Sequence, residues 1–208
     1  MLAAVDLAAL TDRVAPISLA RERTLPVSEP FTELFVEGGL VRGRTISCQG
    51  PAATSAALAL IAPAIAAGAW LAVVDLPTIG LDAASELGVP LERIVAIDTG
   101  ADAHGTSKWV DVVAAAADGF DVLLVRVPDD LQAGAVRKLV MRLRQREVVT
   151  VVLGDPGMLD CDGMLSTQAP HWSGLGDGHG HMRARQVVVA ATGRRLPGQR
   201  QCRLATPA

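Results

Sequence analysis

Between residues 44 and 153 the chain alternates five short apolar segments with four segments of helical pattern, and this alternation restricts the fold more than any other feature. The apolar segments are nearly continuous in Val, Leu and Ile, which is typical of strands buried on both faces of a parallel sheet. We therefore predict an α/β fold, with a mostly parallel central sheet and helices on both of its faces. The predicted strands are Arg44–Gln49, Trp70–Val74, Arg93–Ile97, Asp121–Val127 and Val148–Leu153. The predicted helices are Thr54–Ala67, Ile79–Leu87, Thr106–Ala117 and Asp129–Arg146.

Local signals refine the helices. The segment Thr54–Ala67 is apolar on all sides and is expected to be buried, with a kink at Pro63, which lacks a backbone N–H. Thr106 or Ser107 is the expected N-cap of its helix. At the start of the last helix, Asp129 and Asp130 carry negative charge, which the positive N-terminal end of the helix dipole favours.

The two ends of the chain differ from this core. Leu2–Val14 has Leu2, Val5, Ala9 and Leu10 on one side of a predicted amphipathic helix, and a proline-containing linker follows to residue 30. We expect an arm over residues 1–30 and a core domain over 31–208. Within the core, residues 155–182 are rich in Gly, Asp and His and are expected to form a mobile loop. Ala184–Ala191 and Gln201–Leu204 are expected to pair as a C-terminal antiparallel extension.

The stretch from Arg44 to Ala57 has the layout of a phosphate-binding loop: a strand, a Gly-Pro turn and the start of a helix. Counted from Gly50 in the pattern G-x-x-x-x-G-K-[ST], the second glycine falls on Ser55, the lysine on Ala56 and the hydroxyl residue on Ala57. Alanine can neither place a charge on the phosphates nor ligate Mg²⁺, although the free N–H groups of a helix N-terminus remain. We therefore predict a degenerate phosphate loop at Gly50, Pro51, Ala52, Ala53, Thr54, Ser55, Ala56 and Ala57. An ordinary strand–turn–helix corner is the alternative.

Composition excludes several classes of protein. The three cysteines are widely spaced and form no disulfide framework, which favours a reduced, cytoplasmic protein. No apolar run is long enough to span a bilayer, and the N-terminus lacks a signal-peptide pattern, so we expect no membrane. Aromatic residues make up 3% of the chain, which argues against a base-stacking platform. The net charge of −3 is unevenly distributed: residues 126–208 carry 12 Lys and Arg against 7 Asp and Glu.

Read in series, four segments over about residues 38–154 resemble the core of RecA-type recombinases. These segments are Gly39–Arg44, the Val74-Asp75 strand end with Leu81-Asp82 after it, Leu87–Ile94, and Gly119–Val125. The resemblance implies a RecA-like core, but the residues of the ATP site differ. Arg126 stands where the metal-holding acid should end its strand. It could instead neutralise a nearby carboxylate such as Asp75, which would be a structural role. Pro77 stands about where the acid that activates water should lie. With Ala56 and Ala57, this predicts a protein with no catalytic residues, cofactor or metal.

A short RecA-like core without an ATP site resembles the ImuA-type proteins of bacterial SOS mutagenesis, in their short actinobacterial form. That resemblance implies an accessory protein of damage-induced mutagenic translesion DNA synthesis, which acts by docking to other proteins. The implied partners are an ImuB-like inactive homologue of Y-family polymerases and, indirectly, an error-prone replicative-type polymerase. RecA and DNA are further candidate partners.

Three alternatives stay open from the residues alone. A nucleotide-dependent ATPase or recombinase-like enzyme could use Gly50 with an unusual lysine, Lys108. A basic DNA-binding module could use arginines of the C-terminal half of the chain, or the same arginines could contact a protein partner. They are Arg137, Arg144, Arg183, Arg185, Arg194 and Arg195, and Arg200 and Arg203 follow them in the sequence. A metal pair could form from the histidines of the Gly-rich segment, but no fixed ligand spacing accompanies His171, Asp177, His179 and His181. No paired base accompanies the candidate nucleophiles Ser47, Cys48, Cys161 and Cys202 in the sequence.

Overall fold

The computed structural model describes residues 23–100, 105–176, 179–196, 198 and 200–207. Its strands are β1 Thr24–Leu25, β2 Leu40–Val41, β3 Thr45–Gln49, β4 Leu71–Val74, β5 Ile94–Ile97, β6 Val122–Val125, β7 Val149–Leu153, β8 Gly163–Thr167, β9 His171–Gly176, β10 His179–Thr192 and β11 Arg200–Pro207. Its helices are α1 Glu29–Thr32, α2 Ala53–Ala66, α3 Leu81–Glu86, α4 Gly105–Ala116 and α5 Ala133–Gln145, with a 3₁₀ turn at Leu91–Arg93.

One sheet of nine strands organises the core, in the order β11-β10-β8-β3-β7-β6-β4-β5, with β9 paired to β10. The six strands from β8 to β5 are parallel. Strand β10 is antiparallel to β8, β9 and β11. The predicted sheet and its C-terminal antiparallel extension are therefore confirmed.

Both faces of the sheet are covered, as the apolar strands predicted. Side chains alternate along each strand, so Leu71 and Val73 pack in the cluster that contains α2. Ala72 and Val74 pack on the opposite face, in the cluster that contains residues of α4 and α5. Helix α2 is buried along most of its length, which its many alanines permit because they allow close approach to the sheet.

The expected loop over residues 155–182 is wrong from Gly163 onward, because this part contains β8, β9 and the start of β10. Strand β8 lies inside the sheet between β3 and β10. Several of its residues are small or polar, so the sequence shows no continuous apolar run, yet Gly163, Leu165 and Thr167 are buried. A Cβ on Gly163 would lie 2.4 Å from Leu196 Cδ1. Any larger residue there would displace the Leu196 side chain, so this glycine belongs to tertiary packing and does not mark a turn.

Two expected helix starts are also wrong. Helix α5 begins at Ala133, so Asp129 and Asp130 precede it and do not occupy its first turn. Leu131, just before the helix, is buried in the same cluster as the buried side chains of α5. Helix α4 begins at Gly105, so Thr106 and Ser107 lie within its first turn and do not cap it.

The segment that precedes the core is partly packed on it. Strand β1 pairs with β2, and Leu25 belongs to the buried cluster that contains α2. Residues 23–30, which the sequence assigns to an arm, therefore contribute to the core. The predicted helix Leu2–Val14 lies outside the described residues. Within the described ranges, no helix combines the length and apolar character needed to cross a membrane.

Candidate functional site

The predicted phosphate loop and Arg126 meet in an open cleft of about 400 Å³ at the carboxyl ends of β3, β6 and β7. Parallel strands bring their carboxyl ends to one edge of a sheet, which is where α/β proteins place ligand sites. Residues of the loop, of the turn after β6 and of the turn after β7 line this cleft: Gly50, Pro51, Ala53, Thr54, Arg126, Val127, Asp129, Leu153, Gly154 and Asp155.

The backbone of the loop is not arranged as a phosphate cradle. Such a cradle needs several free N–H groups that converge on the ligand. Here α2 begins at Ala53, so the donors that remain are the N–H groups of its first turn, those of Thr54 and Ser55 among them. Pro51 has no N–H, and the Ala53 N–H donates to the carbonyl oxygen of Gly50 at 3.2 Å. The loop is therefore shortened into a tight turn.

Thr167, at the end of β8, holds this turn closed. Its Oγ1 accepts a hydrogen bond from the N–H of Ala52 at 3.1 Å and donates one to the carbonyl oxygen of Gln49 at 3.0 Å. Gly50 has φ +99°, and a Cβ there would lie 2.3 Å from the carbonyl oxygen of Thr167. Thr167 lies 115 residues beyond Ala52 in a segment that the sequence assigns to a loop. No local signal in the sequence could have identified this contact.

The positions that a lysine and a hydroxyl residue would occupy face the protein core. Ala56 and Ala57 are fully buried beneath the sheet and do not line the cleft. A long charged side chain at Ala56 would have to enter apolar surroundings, which burial of an unpaired charge opposes. Neither position is therefore placed to present a side chain to a ligand in the cleft.

Arg126 directly follows β6, is exposed and lines the cleft. It is the residue that the sequence analysis assigned to the metal-acid position. The suggested role in neutralising Asp75 is wrong. Asp75 accepts hydrogen bonds from the N–H and Oγ1 of Thr99, at 2.8 and 2.7 Å. Pro77 is exposed in the turn after β4.

Two carboxylates in the cleft were missed by the sequence analysis. Asp129 and Asp155 both line it, together with Arg126. Asp155 also accepts a hydrogen bond from the N–H of Gly157 at 2.9 Å. Two acids beside one arginine leave the lining with a net negative formal charge, which is unfavourable for a polyphosphate unless a cation accompanies it.

The cysteines near this edge are not activated as nucleophiles. Burial raises the pKa of the Cys48 thiol, at the end of β3, to about 12. Burial, with a smaller contribution from the neighbouring carboxylates, also raises the pKa of Cys161 to about 12. A thiol is a nucleophile in its ionised form, so neither side chain has the character of a catalytic cysteine.

Several arginines of the predicted contact surface have acidic partners that are distant in sequence. Arg144 and Arg194 both pair with Asp160. Arg195 Nε lies 3.3 Å from Asp162 Oδ1. Both acids precede β8, so the fold brings Arg194 and Arg195, which lie more than 30 positions further along the chain, next to carboxylates. These arginines are partly neutralised.

The other predicted contact arginines lie elsewhere. Arg185, on β10, donates a hydrogen bond to Ser55 Oγ at 3.0 Å, and its guanidinium lies 5.4 Å from the ring centroid of Trp172. Arg137 on α5 and Arg183 on β10 are exposed. The structure thus separates the predicted arginines over at least three surfaces.

The remaining candidates do not assemble into a site. His171 and His181 are exposed on β9 and β10, and Asp177 lies outside the described residues. Among the residues that the structure describes, no three His, Cys, Asp or Glu side chains are placed to hold a metal ion. Lys108 is on α4 and is not part of the lining of the cleft.

A second feature of note is the free edge of the sheet at β5. In the described part of the chain β5 has a partner on one side only, the strand β4. Val95 and Ala96 are exposed along it, and Leu81 and Leu91 are exposed beside it in sequence. Four exposed acids lie in the elements that precede β5 or directly after this strand. They are Asp82 and Glu86 on α3, Glu92 in the 3₁₀ turn and Asp98 after β5.

Comparisons with known proteins agree with this geometry. The model of a family described as the MT3502 N-terminal domain matches residues 33–157. The crystal structure of the RadB recombinase is similar to this chain, with a TM-score of 0.57 and 14% sequence identity. That similarity covers 84% of this chain and 92% of RadB, and it shows that the fold is RecA-like. No curated protein matches the sequence.

Proposed function

We propose that this chain, which belongs to the family described as the MT3502 N-terminal domain, is a non-catalytic RecA-like module that acts by binding other proteins. Its proposed place of action is the cytoplasmic machinery of damage-induced mutagenic translesion DNA synthesis. The resemblance to ImuA-type proteins supports this process and supplies the proposed partner, an ImuB-like inactive polymerase homologue. An error-prone replicative-type polymerase, and RecA, would be reached through the same assembly.

The observation that carries the proposal is the closed turn at Gly50. To form an extended loop around a triphosphate, the chain would have to unwind the first turn of α2 and break both hydrogen bonds of Thr167. Hydrogen bonds of this kind contribute about 1 kcal/mol each, and leaving buried groups unpaired costs more. The reopened loop would still lack the lysine and the hydroxyl, since Ala56 and Ala57 are buried in the core.

The free edge at β5 supports a role in protein binding. An edge strand with unpaired backbone groups can accept an extended segment from another chain, which adds a strand to the sheet. The exposed Val95 offers apolar contact to such a segment, and the surrounding acids favour basic residues in it. We therefore propose that the partner contributes an extended segment of apolar residues accompanied by Lys or Arg.

Nucleotide binding is tested by the thermal unfolding of the purified chain with and without millimolar ATP and Mg²⁺. A ligand that binds only the native state raises stability by about 2.7 kcal/mol at one hundred times its Kd. We expect no shift in Tm. A large shift would favour the nucleotide-dependent enzyme, and phosphate release that fails in Lys108→Ala would then identify the lysine.

Partner binding is tested separately by co-purification with the ImuB-like protein. Val95→Lys places a charge on the exposed edge strand without disturbing the core, and we expect at least a tenfold loss of affinity, about 1.4 kcal/mol. Val36→Lys is the matched control, because Val36 is exposed and distant in sequence from the edge. Equal binding by both variants and by the wild-type chain would argue against this edge.

One observation favours a second candidate, a nucleic-acid-binding module. Trp172 is 37% exposed on β9 and lies against the Arg185 guanidinium, with Arg183 exposed on the neighbouring β10. An aromatic ring among arginines is a common surface for single-stranded nucleic acid. The measurement is fluorescence anisotropy with labelled single-stranded DNA. Affinity that falls steeply with salt and is lost in Trp172→Ala would support this candidate.

A further inference from the structure

An open groove of about 720 Å³ runs between α4 and α5 on the outer side of the sheet, away from the cleft at Gly50. Its apolar lining comes from both helices and includes Val110, Ala114, Leu139 and Met141. Met141 is 57% exposed, a high value for a long apolar side chain in a helix. The groove has the shape and chemistry to receive another helix, in the manner of a helix laid between two packed helices.

The charged residues that α5 contributes to the groove and its surroundings are all basic. This helix carries Arg137, Lys138, Arg142 and Arg144 and no Asp or Glu. Lys138 and Arg142 line the groove, and Asp111 is the acid among its lining residues. Arg142 is paired with Asp118. An occupant that carries acidic residues beside an apolar stripe would complement this lining.

The described chain begins beside the C-terminal end of α5. The N–H of Arg42 donates to the carbonyl oxygen of Arg23 at 2.8 Å. The next residue, Gly43, lies against the end of α5, since a Cβ there would be 3.3 Å from the carbonyl oxygen of Arg144. Arg23, the first described residue, therefore lies near the C-terminal end of α5 and so near one end of the groove.

The sequence of residues 2–14 matches the groove. Beside the side that carries Leu2, Val5 and Ala9, the segment has a second apolar stripe if it is helical. Ala3, Leu7, Leu10 and Val14 form this stripe, at spacings of four, three and four. Residues 2–14 contain Asp6 and Asp12 against one basic residue, Arg13. The segment is thus apolar with a formal charge of −1, whereas α5 carries four basic residues and no acid.

The connection is long enough. Residues 15–22 can span up to about 28 Å when extended, whereas the 13 residues of α5 extend over about 20 Å. We propose that residues 2–14 dock as a helix in the groove between α4 and α5 of the same chain. This interaction is independent of the proposed function, because it involves neither the cleft at Gly50 nor the edge at β5.

The test is hydrogen–deuterium exchange of the full chain, measured by mass spectrometry on peptides from α4 and α5. Leu7→Lys with Leu10→Lys places two charges on the proposed stripe. Ala4→Lys with Ala8→Lys adds the same charges on another side of a helix and is the matched control. We expect about tenfold faster exchange over residues 107–114 and 132–145 in the stripe variant. In the stripe variant, exchange in β7 should match that of the wild-type chain. In the control variant, exchange in all of these peptides should match it.

Two outcomes would overturn the proposal. Unchanged exchange in the stripe variant would show that the segment does not cover the groove. Protection that disappears on tenfold dilution of the wild-type chain would place the segment of a second copy in the groove. As a second measurement, Lys138→Glu should speed exchange in the same peptides, and Lys138→Glu with Asp6→Lys should restore it. Arg137→Glu, on the same helix but outside the lining, should have no effect.

Discussion

Ser28 Oγ donates a hydrogen bond of 2.9 Å to the carbonyl oxygen of Ala59, in the middle of the buried helix α2. That carbonyl would normally accept the N–H of the residue four positions later, which here is Pro63 and has none. The segment before the core thus supplies the donor that the proline removes. This relationship explains how a buried helix retains an internal proline.

Ser28→Ala should therefore destabilise the fold although Ser28 lies outside the sheet. A buried carbonyl left without a donor costs about 1–3 kcal/mol, and we expect the free energy of unfolding in urea to fall by that amount. Pro63→Ala supplies the missing N–H, so it should make the Ser28→Ala change nearly neutral in a double-mutant cycle. If the two changes are additive, Ser28 does not act through Ala59.

Gly50→Ala should be more damaging than the same change at another glycine of positive φ. The new Cβ would meet the carbonyl oxygen of Thr167 at 2.3 Å, in addition to the strain of φ +99°. We expect a loss of about 3 kcal/mol or more. Gly88→Ala is the control, because Gly88 has φ +87° but a Cβ there would meet no atom of the described chain within 4 Å beyond its immediate neighbours. A loss of about 1–2 kcal/mol is expected for this control. Equal losses by urea denaturation would mean that the contact with Thr167 has no energetic weight.

Thr167→Val should destabilise the turn at Gly50 without changing the size of the buried side chain. The variant leaves the Ala52 N–H without its acceptor and the Gln49 carbonyl without this donor. The expected cost is about 1–3 kcal/mol, with Ser166→Ala on the same strand as the control. Exchange of the Ala52 amide, followed by NMR, should become faster in Thr167→Val alone. An unchanged rate would assign the protection of this amide to another contact.

Stability should fall at alkaline pH. The folded state raises the pKa of Cys48 from its ordinary 9.0 to about 12, so it favours the neutral thiol. That contribution is fully present below pH 9 and is lost as the pH rises from 9 towards 12. In Cys48→Ala the decline of the unfolding free energy over this range should be shallower by about 1.4 kcal/mol per pH unit. Parallel curves for the two proteins would show that Cys48 ionises equally well in both states.

The sequence by itself determined the parallel core, since near-continuous apolar strands must be covered on both faces, as β4, β6 and β7 are. It also located the loop at Gly50, and the resemblance to RecA-type cores assigned Arg126 to the metal-acid position, which lines the same cleft in the structure.

Only the tertiary structure decided that β8 is a strand and that Thr167 closes the turn at Gly50. It also decided that Arg144 and Arg194 share Asp160. The physical reason is the same in each case. A strand of small residues and a hydrogen bond between residues more than a hundred positions apart leave no local periodicity, and their partners are chosen only when the sheet assembles.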